Sequence, residues 1–186
     1  MADTSQPTVF DYASPTTWRI KFSKVPKVEW FCTNVNLPGV TLGEASYPTP
    51  MTDIGITGDK LTFENLTITF LVDEELQNYR QLWDWLVGIG FPKSHSQYST
   101  VLGAGTRSAT PMPTEKGTTL SEGGLYDEAS LIIYNSKNIA KLQVNFKDIF
   151  PTNLSGLNYA QDSTDVDYFR ADATFRFLYY EFESLT

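Results

Sequence analysis

The residues of this chain that could do chemistry are few. The sequence has one cysteine, Cys32, and one histidine, His95. A lone cysteine excludes an internal disulfide, and one cysteine with one histidine excludes a Cys/His zinc cluster. His95 lies alone in a serine-rich segment, which makes a nucleophile pair built on it a poor hypothesis. Cys32 lies in an aromatic segment and is expected to be a small core residue.

The acidic residues are plentiful, but their spacing matches no metal or catalytic motif. Asp162, Asp165 and Asp167 lack the central glycine and the terminal glutamate of a calcium-binding EF-hand loop. Gly103 and Gly105 are not followed by the Lys-Ser/Thr pair of a phosphate-binding loop. We therefore predict no catalytic residue, no metal and no cofactor. A hydrolase with paired acids stays open as the enzyme alternative, because the distance between carboxylates cannot be read from a sequence.

Length, composition and charge set further limits. The 186 residues, 41% of them hydrophobic and 14% aromatic, are enough for one well-packed domain, which we place at 1–186. The sequence contains neither an apolar run long enough to cross a bilayer nor a signal peptide, so we expect folding in the cytoplasm. A net charge of −8 argues against a protein that grips nucleic acid. DNA could still pass along a surface that repels it.

Most of the chain shows the alternation that is typical of strands. The segments TTWRIKFS and KVEWFCTNVN predict an antiparallel hairpin that turns at Val25-Pro26. Within the first segment and after it, the basic residues Arg19, Lys21, Lys24 and Lys27 predict a solvated face, or a contact with an acidic neighbour. Residues 40–60 predict a long excursion that contains an edge hairpin.

A parity change in the apolar positions at Glu64-Asn65 predicts a β-bulge, and an amphipathic helix follows it. Asp73 is its expected cap. The predicted apolar stripe consists of Leu76, Tyr79, Leu82, Trp83 and Leu86, with Trp83 and Trp85 sealing the helix against a sheet.

The second half of the chain predicts a long loop and then more strands. Residues 91–127 have no sustained period and predict a long loop that is either disordered or becomes ordered in a subunit contact. ASLIIYN and KLQVNFKDIF predict a hairpin, and Phe150-Pro151-Thr152-Asn153 predicts a turn. The last strand, 173–182, is apolar on both faces, which predicts cover from a helix or from a partner subunit.

These patterns give a set of candidate contact residues rather than catalytic ones. They come from the excursion at 40–60, the loop at 91–127 and the last strand. The candidates for a subunit interface are Tyr47, Met51, Ile54, Ile56, Tyr98, Leu102, Phe175, Phe177, Tyr179 and Tyr180.

The order of several short motifs resembles the tail tube proteins of contractile-tail bacteriophages, together with the related tube-initiating and tail-terminator proteins. The motifs are Cys32 with Leu37-Pro38-Gly39, Gly58-Asp59, Thr67 to Phe70, Asp73 to Glu75, Asp84-Trp85, Phe150 to Asn153, and Phe175 to Phe182. The resemblance implies a mainly β fold, an antiparallel β-sandwich or half-barrel with a flanking α-helix and long loops. It further implies assembly into a hexameric ring, with rings stacked around a channel.

The implied function is that of a structural protein of the virion tail, assembled in the host cytoplasm, through whose tube DNA passes during ejection without tight binding. Its implied partners are further copies of itself and the tail sheath, tape-measure and baseplate proteins. Other positions in the tail, a related contractile injection system, and a monomeric carbohydrate-binding or adhesin module are the alternatives. The last rests on four tryptophans and ten tyrosines that could stack on sugars.

Overall fold

The computed structural model describes residues 12–90, 92–93, 125–161 and 168–185. In this part of the chain there are nine strands and two helices. The strands are β1 Trp18–Phe22, β2 Cys32–Val35, β3 Val40–Pro48, β4 Asp53–Phe63, β5 Leu66–Leu71, β6 Asp127–Tyr134, β7 Ala140–Leu154, β8 Arg170–Arg176 and β9 Tyr179–Ser184. The helices are α1 Pro26–Phe31 and α2 Gln77–Gly90. The expected mainly β fold with a flanking helix is confirmed.

The strands form one large antiparallel sheet and one separate hairpin. The large sheet runs in the order β1-β6-β7-β8-β5-β2, with β9 also paired to β7. The long strand β7 joins its two halves, since Leu142 to Lys147 pair with β9 and Phe150 to Leu154 pair with β8. The halves fold over each other, and Phe22 of β1 stacks on Phe175 of β8 with ring centroids 5.2 Å apart. This arrangement is an open sandwich.

The change of partner along β7 occurs at an irregular corner. The register between β6 and β7 shifts by one residue after Phe146, which places a bulge at Lys147 and Asp148. Asp148 is buried and has φ 54°, a conformation in which Asp and Asn are the commonest residues after glycine. Strand β7 continues past this corner to Leu154, so Pro151 lies inside a strand. The turn predicted at Phe150 to Asn153 is therefore wrong.

The first predicted hairpin is also wrong. Pro26 occupies the first turn of α1, where a proline costs nothing because that N–H has no helical partner. β1 pairs with β6 instead, with Trp18 opposite Ile133. The alternation in β1 is nevertheless real, since Ile20 and Phe22 are buried while Lys21 is exposed.

Two further predictions are wrong because each took two strands for one continuous strand. The parity change at Glu64-Asn65 is a break between β4 and β5, which belong to different sheets, and it is not a bulge. The last predicted strand divides at Phe177 and Leu178 into β8 and β9. β8 and β9 pair with different parts of β7. The apolar residues that alternate in the sequence therefore lie on two strands with different surroundings.

The long helix α2 packs against the core by a stripe that agrees with the predicted one at Leu82 and Tyr79 and differs from it at Trp83. Its buried residues are Asn78, Leu82, Trp85 and Gly88. Trp85 packs 6.3 Å from Phe175, as expected, but Trp83 is 49% exposed. The helix begins at Gln77, after Leu76 with φ 56°, so Leu76 of the predicted stripe lies outside the helix.

The start of α2 is fixed by buried hydrogen bonds. The Asn78 side chain donates to the Leu71 carbonyl at 2.7 Å, and the Asp73 carboxylate accepts the Asn78 backbone N–H at 3.3 Å. Asp73 therefore does serve the first turn, as predicted. None of the described helices is long and apolar enough to span a membrane.

Candidate assembly surfaces

The feature that stands apart from the body is the hairpin of β3 and β4, which we call the arm. The two strands pair only with each other, from Val40 opposite Phe63 to Pro48 opposite Asp53. Every residue of β3 is exposed, and only Gly58 and Phe63 of β4 are partly covered. The edge hairpin predicted within 40–60 therefore exists.

The arm carries apolar cross-strand pairs in spite of this exposure. Tyr47 lies opposite Ile54 and Ala45 opposite Ile56, so these side chains share one face near the tip. Tyr47 is 60% exposed, and about half of each isoleucine side chain is exposed. A lone two-stranded hairpin is at best marginally stable in water, and this one presents aromatic and β-branched side chains to solvent.

Two glycines allow the arm to bend. The pairing shifts between Leu42 and Glu44 because β4 inserts two residues more than β3 at that point. There the strands approach so closely that a Cβ on Gly58 would lie 2.5 Å from the Gly43 carbonyl oxygen. No residue with a side chain fits at Gly58 unless the backbone moves.

The turn at the tip of the arm exposes one more candidate. The Thr49 N–H donates to the Thr52 carbonyl at 3.2 Å and closes the turn. Met51, in this turn, is 94% exposed. The four arm candidates, Tyr47, Met51, Ile54 and Ile56, are thus brought together near one end of the molecule.

The candidates from the last strand are divided between the core and the edge. Phe175 and Phe177 are buried among the residues of this chain and offer no side-chain surface to a second subunit. Tyr180 is partly buried, and its hydroxyl donates to the Pro38 carbonyl at 3.2 Å. Only Tyr179, at 37% exposure, keeps an open side chain. Phe175 and Phe177 are therefore reassigned from contact residues to core residues.

The remaining two contact candidates, Tyr98 and Leu102, lie outside the described residues, as do His95 and the cluster of Asp162, Asp165 and Asp167. The same holds for most of the loop predicted at 91–127.

Two exposed apolar residues, one between β8 and β9 and one in β9, were not among the contact candidates. Leu178 and Phe182 are each 57% exposed. Their alternation with Phe177 and Tyr179 was visible in the sequence, but the break before β9 was not. Trp30 is exposed as well, with the Arg19 guanidinium 4.8 Å from its ring centroid. α1 rather than a strand presents it, so period-two reasoning could not find it.

A cleft at the foot of the arm was also invisible in the sequence. It has a volume of about 350 Å³ and lies between Lys60 to Phe63 of β4, Tyr126, and the β7 to β9 corner. Two ring pairs line it, Phe63 with Phe177 at 5.8 Å and Tyr126 with Phe150 at 5.6 Å. Its residues come from four separate stretches of sequence.

The described residues provide little for catalysis. No group of three or more His, Cys, Asp or Glu side chains among them could hold a metal ion. Burial raises the pKa of the Cys32 thiol from 9.0 to about 11, partly offset by a hydrogen bond with the Asn34 backbone. The thiol is therefore protonated at neutral pH and is a poor nucleophile.

Comparison with solved structures identifies the fold. A chain of the anti-feeding prophage tube-terminating cap matches with a TM-score of 0.58 and 12% identity, over 100% of both chains. The chain shares its fold with components of contractile injection machines. A chain of the six-fold symmetrised baseplate of the anti-feeding prophage gives 0.56 and 9% identity, covering 96% of this chain and 97% of that one. A chain of the sheath-tube complex of the PVC extracellular contractile injection system gives 0.52 and 12% identity, over 100% of both chains.

No family model and no curated protein matches the sequence of the chain. At such low identity the likeness establishes the fold alone. The resemblance to tail tube proteins that the order of motifs indicated is confirmed as a likeness of fold.

Proposed function

We propose that this chain is a structural subunit of the tube of a contractile tail or contractile injection machine. In this proposal six copies close into a ring, and the rings stack around a channel. The fold likeness to chains from a tube-terminating cap, a baseplate and a sheath-tube complex supports it. The six-fold symmetry of that baseplate supports the ring size.

The observation that carries the proposal is the arm. Its strands pair with no other part of the described chain, and the side chains of Tyr47, Ile54 and Ile56 near its tip are half or more exposed. Such a surface is unfavourable in an isolated subunit and becomes favourable when a neighbour covers it. The proposal assigns Tyr47, Ile54 and Ile56 to that contact.

The negative net charge of the chain is compatible with a channel through which DNA passes. A net charge of −8 on each subunit is multiplied in a ring, and an acidic channel wall would repel DNA and let it slide. We propose genome passage in a virion tail as the cargo role, with sheath, tape-measure and baseplate proteins as partners and assembly in the host cytoplasm. A protein cargo, as in other injection machines, is the variant of the same function.

The test is the mass of the purified protein in solution, measured by light scattering over a concentration series. The account expects a hexamer or multiples of it. A triple variant, Tyr47→Ser with Ile54→Ser and Ile56→Ser, should remain folded and lose the assembly. The matched control is Trp83→Ser with Ile139→Ser, which removes exposed apolar side chains from α2 and from the turn between β6 and β7 and leaves the arm intact. A hexamer of unchanged stability in the arm variant would contradict the role of the arm.

A terminal ring, either a tail terminator or a tube-initiating baseplate ring, is the second candidate. The likeness to the cap chain, which extends over the whole of both chains, favours it. A tube subunit forms rings that stack at high concentration, whereas a terminal ring stays single. Electron microscopy of the assembled protein distinguishes the two.

A further inference from the structure

The cleft at the foot of the arm combines an aromatic interior with positive charge at its opening. Phe63 and Phe177 line one side of it. Its volume of about 350 Å³ lies at the lower end of the roughly 300 to 1,000 Å³ typical of sites that hold a ligand. An occupant must therefore be small, in part apolar, and complementary in charge to the opening.

The charged groups at the cleft define that complementarity. Lys60 and Arg176 both line it and are exposed, and neither forms an ion pair with another described residue. The third charged group is Asp148, which is buried in the wall at the corner of β7. The two exposed cations outnumber the buried acid, so the opening favours a carboxylate.

The tip of the arm has the matching chemistry. Met51 projects from the turn with 94% of its surface exposed, and Asp53 follows it at the start of β4, also exposed. Asp53 forms no ion pair with any residue that the structure describes. A thioether is flexible and makes favourable contacts with aromatic rings, and a carboxylate pairs with guanidinium and ammonium groups.

The tip cannot reach the cleft of its own chain. Asp53 is the first residue of β4 and Lys60 follows it by seven residues in the same strand, and a strand rises about 3.3 Å per residue. The two residues are therefore roughly 20 Å apart, less a small amount for the bulge at Gly58. An arm tip that enters this cleft must belong to a second copy.

We propose that the arm tip of one copy inserts into the cleft of the next, with Met51 against Phe63 and the exposed Leu178 and with Asp53 paired to Arg176 and Lys60. This contact rests on the proposed function, because it needs a second copy of the chain. It joins two different surfaces, so it is a head-to-tail interface, which either closes into a ring or continues as a filament. The arm thereby sets the direction of assembly.

The first test is an exchange of charges across the contact. Asp53→Arg alone and Arg176→Asp alone each place like charges together and should weaken assembly at least about tenfold. The double variant restores an opposite pair and should recover most of the loss. Glu44→Arg is the matched control, because Glu44 is an exposed acid on the same arm, away from the tip. It should assemble like the unchanged protein.

The second test is a disulfide between copies. In a Cys32→Ser background, Met51→Cys combined with Leu178→Cys places thiols on the tip and on the exposed wall of the cleft. A disulfide needs Cα atoms within about 7 Å, so it forms only if the tip enters the cleft. We expect covalent multimers from this double variant, and none from the matched double variant Met51→Cys with Trp83→Cys.

The outcomes separate this contact from the proposed function. Recovery in the charge exchange together with covalent multimers supports the arm-in-cleft contact. If both single charge-reversal variants form rings normally and the cysteine variant forms no disulfide between copies, the arm-in-cleft contact is wrong. The proposed tube function would then still stand. Unchanged protein that stays monomeric at every concentration contradicts the tube function and the contact with it.

Discussion

At the scale of single residues, Phe177 shows how the structure changes the meaning of a sequence prediction. Its aromatic character and place in the last strand suggested a subunit contact. In the structure it is 7% exposed and lies within 6 Å of the rings of Phe63, Phe146 and Tyr180. Its role is to hold the corner at which the chain passes from β8 to β9.

We expect Phe177→Asp to abolish folding of the subunit. Loss of a buried phenylalanine costs about 3 to 5 kcal/mol, and a carboxylate left in its place adds a desolvation cost. Phe182→Asp is the control, because Phe182 is 57% exposed and its loss should change the stability little. Urea unfolding of both variants is the measurement. A soluble Phe177→Asp protein with normal stability would contradict the core assignment.

Cys32 gives a prediction that depends on pH. Burial raises the pKa of its thiol to about 11, from 9.0. The folded state therefore holds its proton more tightly than the unfolded state does. This contribution to stability is fully present below pH 9 and is lost as the pH rises from about 9 to about 11.

The corresponding measurement is alkylation of Cys32 in native and in urea-unfolded protein. At pH 8 the native thiol should react far more slowly than the unfolded one, and the difference should narrow as the pH approaches 11. Equal rates at pH 8 would show that the thiol is not shielded. The Cys32→Ser protein gives the background.

At the scale of elements, the sequence predicted strands well and their partners poorly. The alternation of β1, β6 and β7 was readable, and so was the short turn between Asn135 and Asn138 that joins β6 to β7. The pairing of β1 with β6, more than 100 residues later in the chain, depends on packing that no local pattern encodes. A proline read as a turn was in fact the first residue of α1.

The arm bend leads to a prediction at Gly58. A Cβ at this position would lie 2.5 Å from the Gly43 carbonyl oxygen, so Gly58→Ala should force the strands apart at a cost of about 1 to 3 kcal/mol within the arm. Gly55→Ala is a matched control on the same strand, because its Cβ would meet nothing within 4 Å.

Hydrogen exchange of the arm amides and the degree of assembly are the readouts for Gly58. We expect faster exchange in residues 40–63 and weaker assembly for Gly58→Ala, with an unchanged melting temperature of the body. The same behaviour in both alanine variants would show that the close crossing of the strands is not required.

The register of α2 gives another element-scale prediction. Leu82 is fully buried, as the predicted stripe requires, whereas its neighbour Trp83, placed in the same stripe by the sequence, is 49% exposed. Leu82→Ala should lower the free energy of unfolding by about 2 to 5 kcal/mol, and Trp83→Ala by much less although it removes a larger side chain. A greater loss for Trp83→Ala, measured by urea unfolding, would contradict this register.

At the scale of the whole molecule, the fold class was predictable and the cleft was not. Mainly β structure with one long helix follows from periodicity, capping and turn residues. The cleft joins Lys60, Tyr126, Phe150 and Arg176, which are brought together by the corner at Asp148, and no spacing in the sequence relates them. The role of the arm in a subunit contact stays a prediction, because the surface that it would contact belongs to another copy of the chain.

The measurement that tests the central claim most directly is negative-stain electron microscopy of the purified protein over a concentration series, with the mass determined in parallel. We expect hollow six-membered rings that stack into tubes as the concentration rises, or single rings if the chain forms the end of a tube. Strict monomers at every concentration would contradict it.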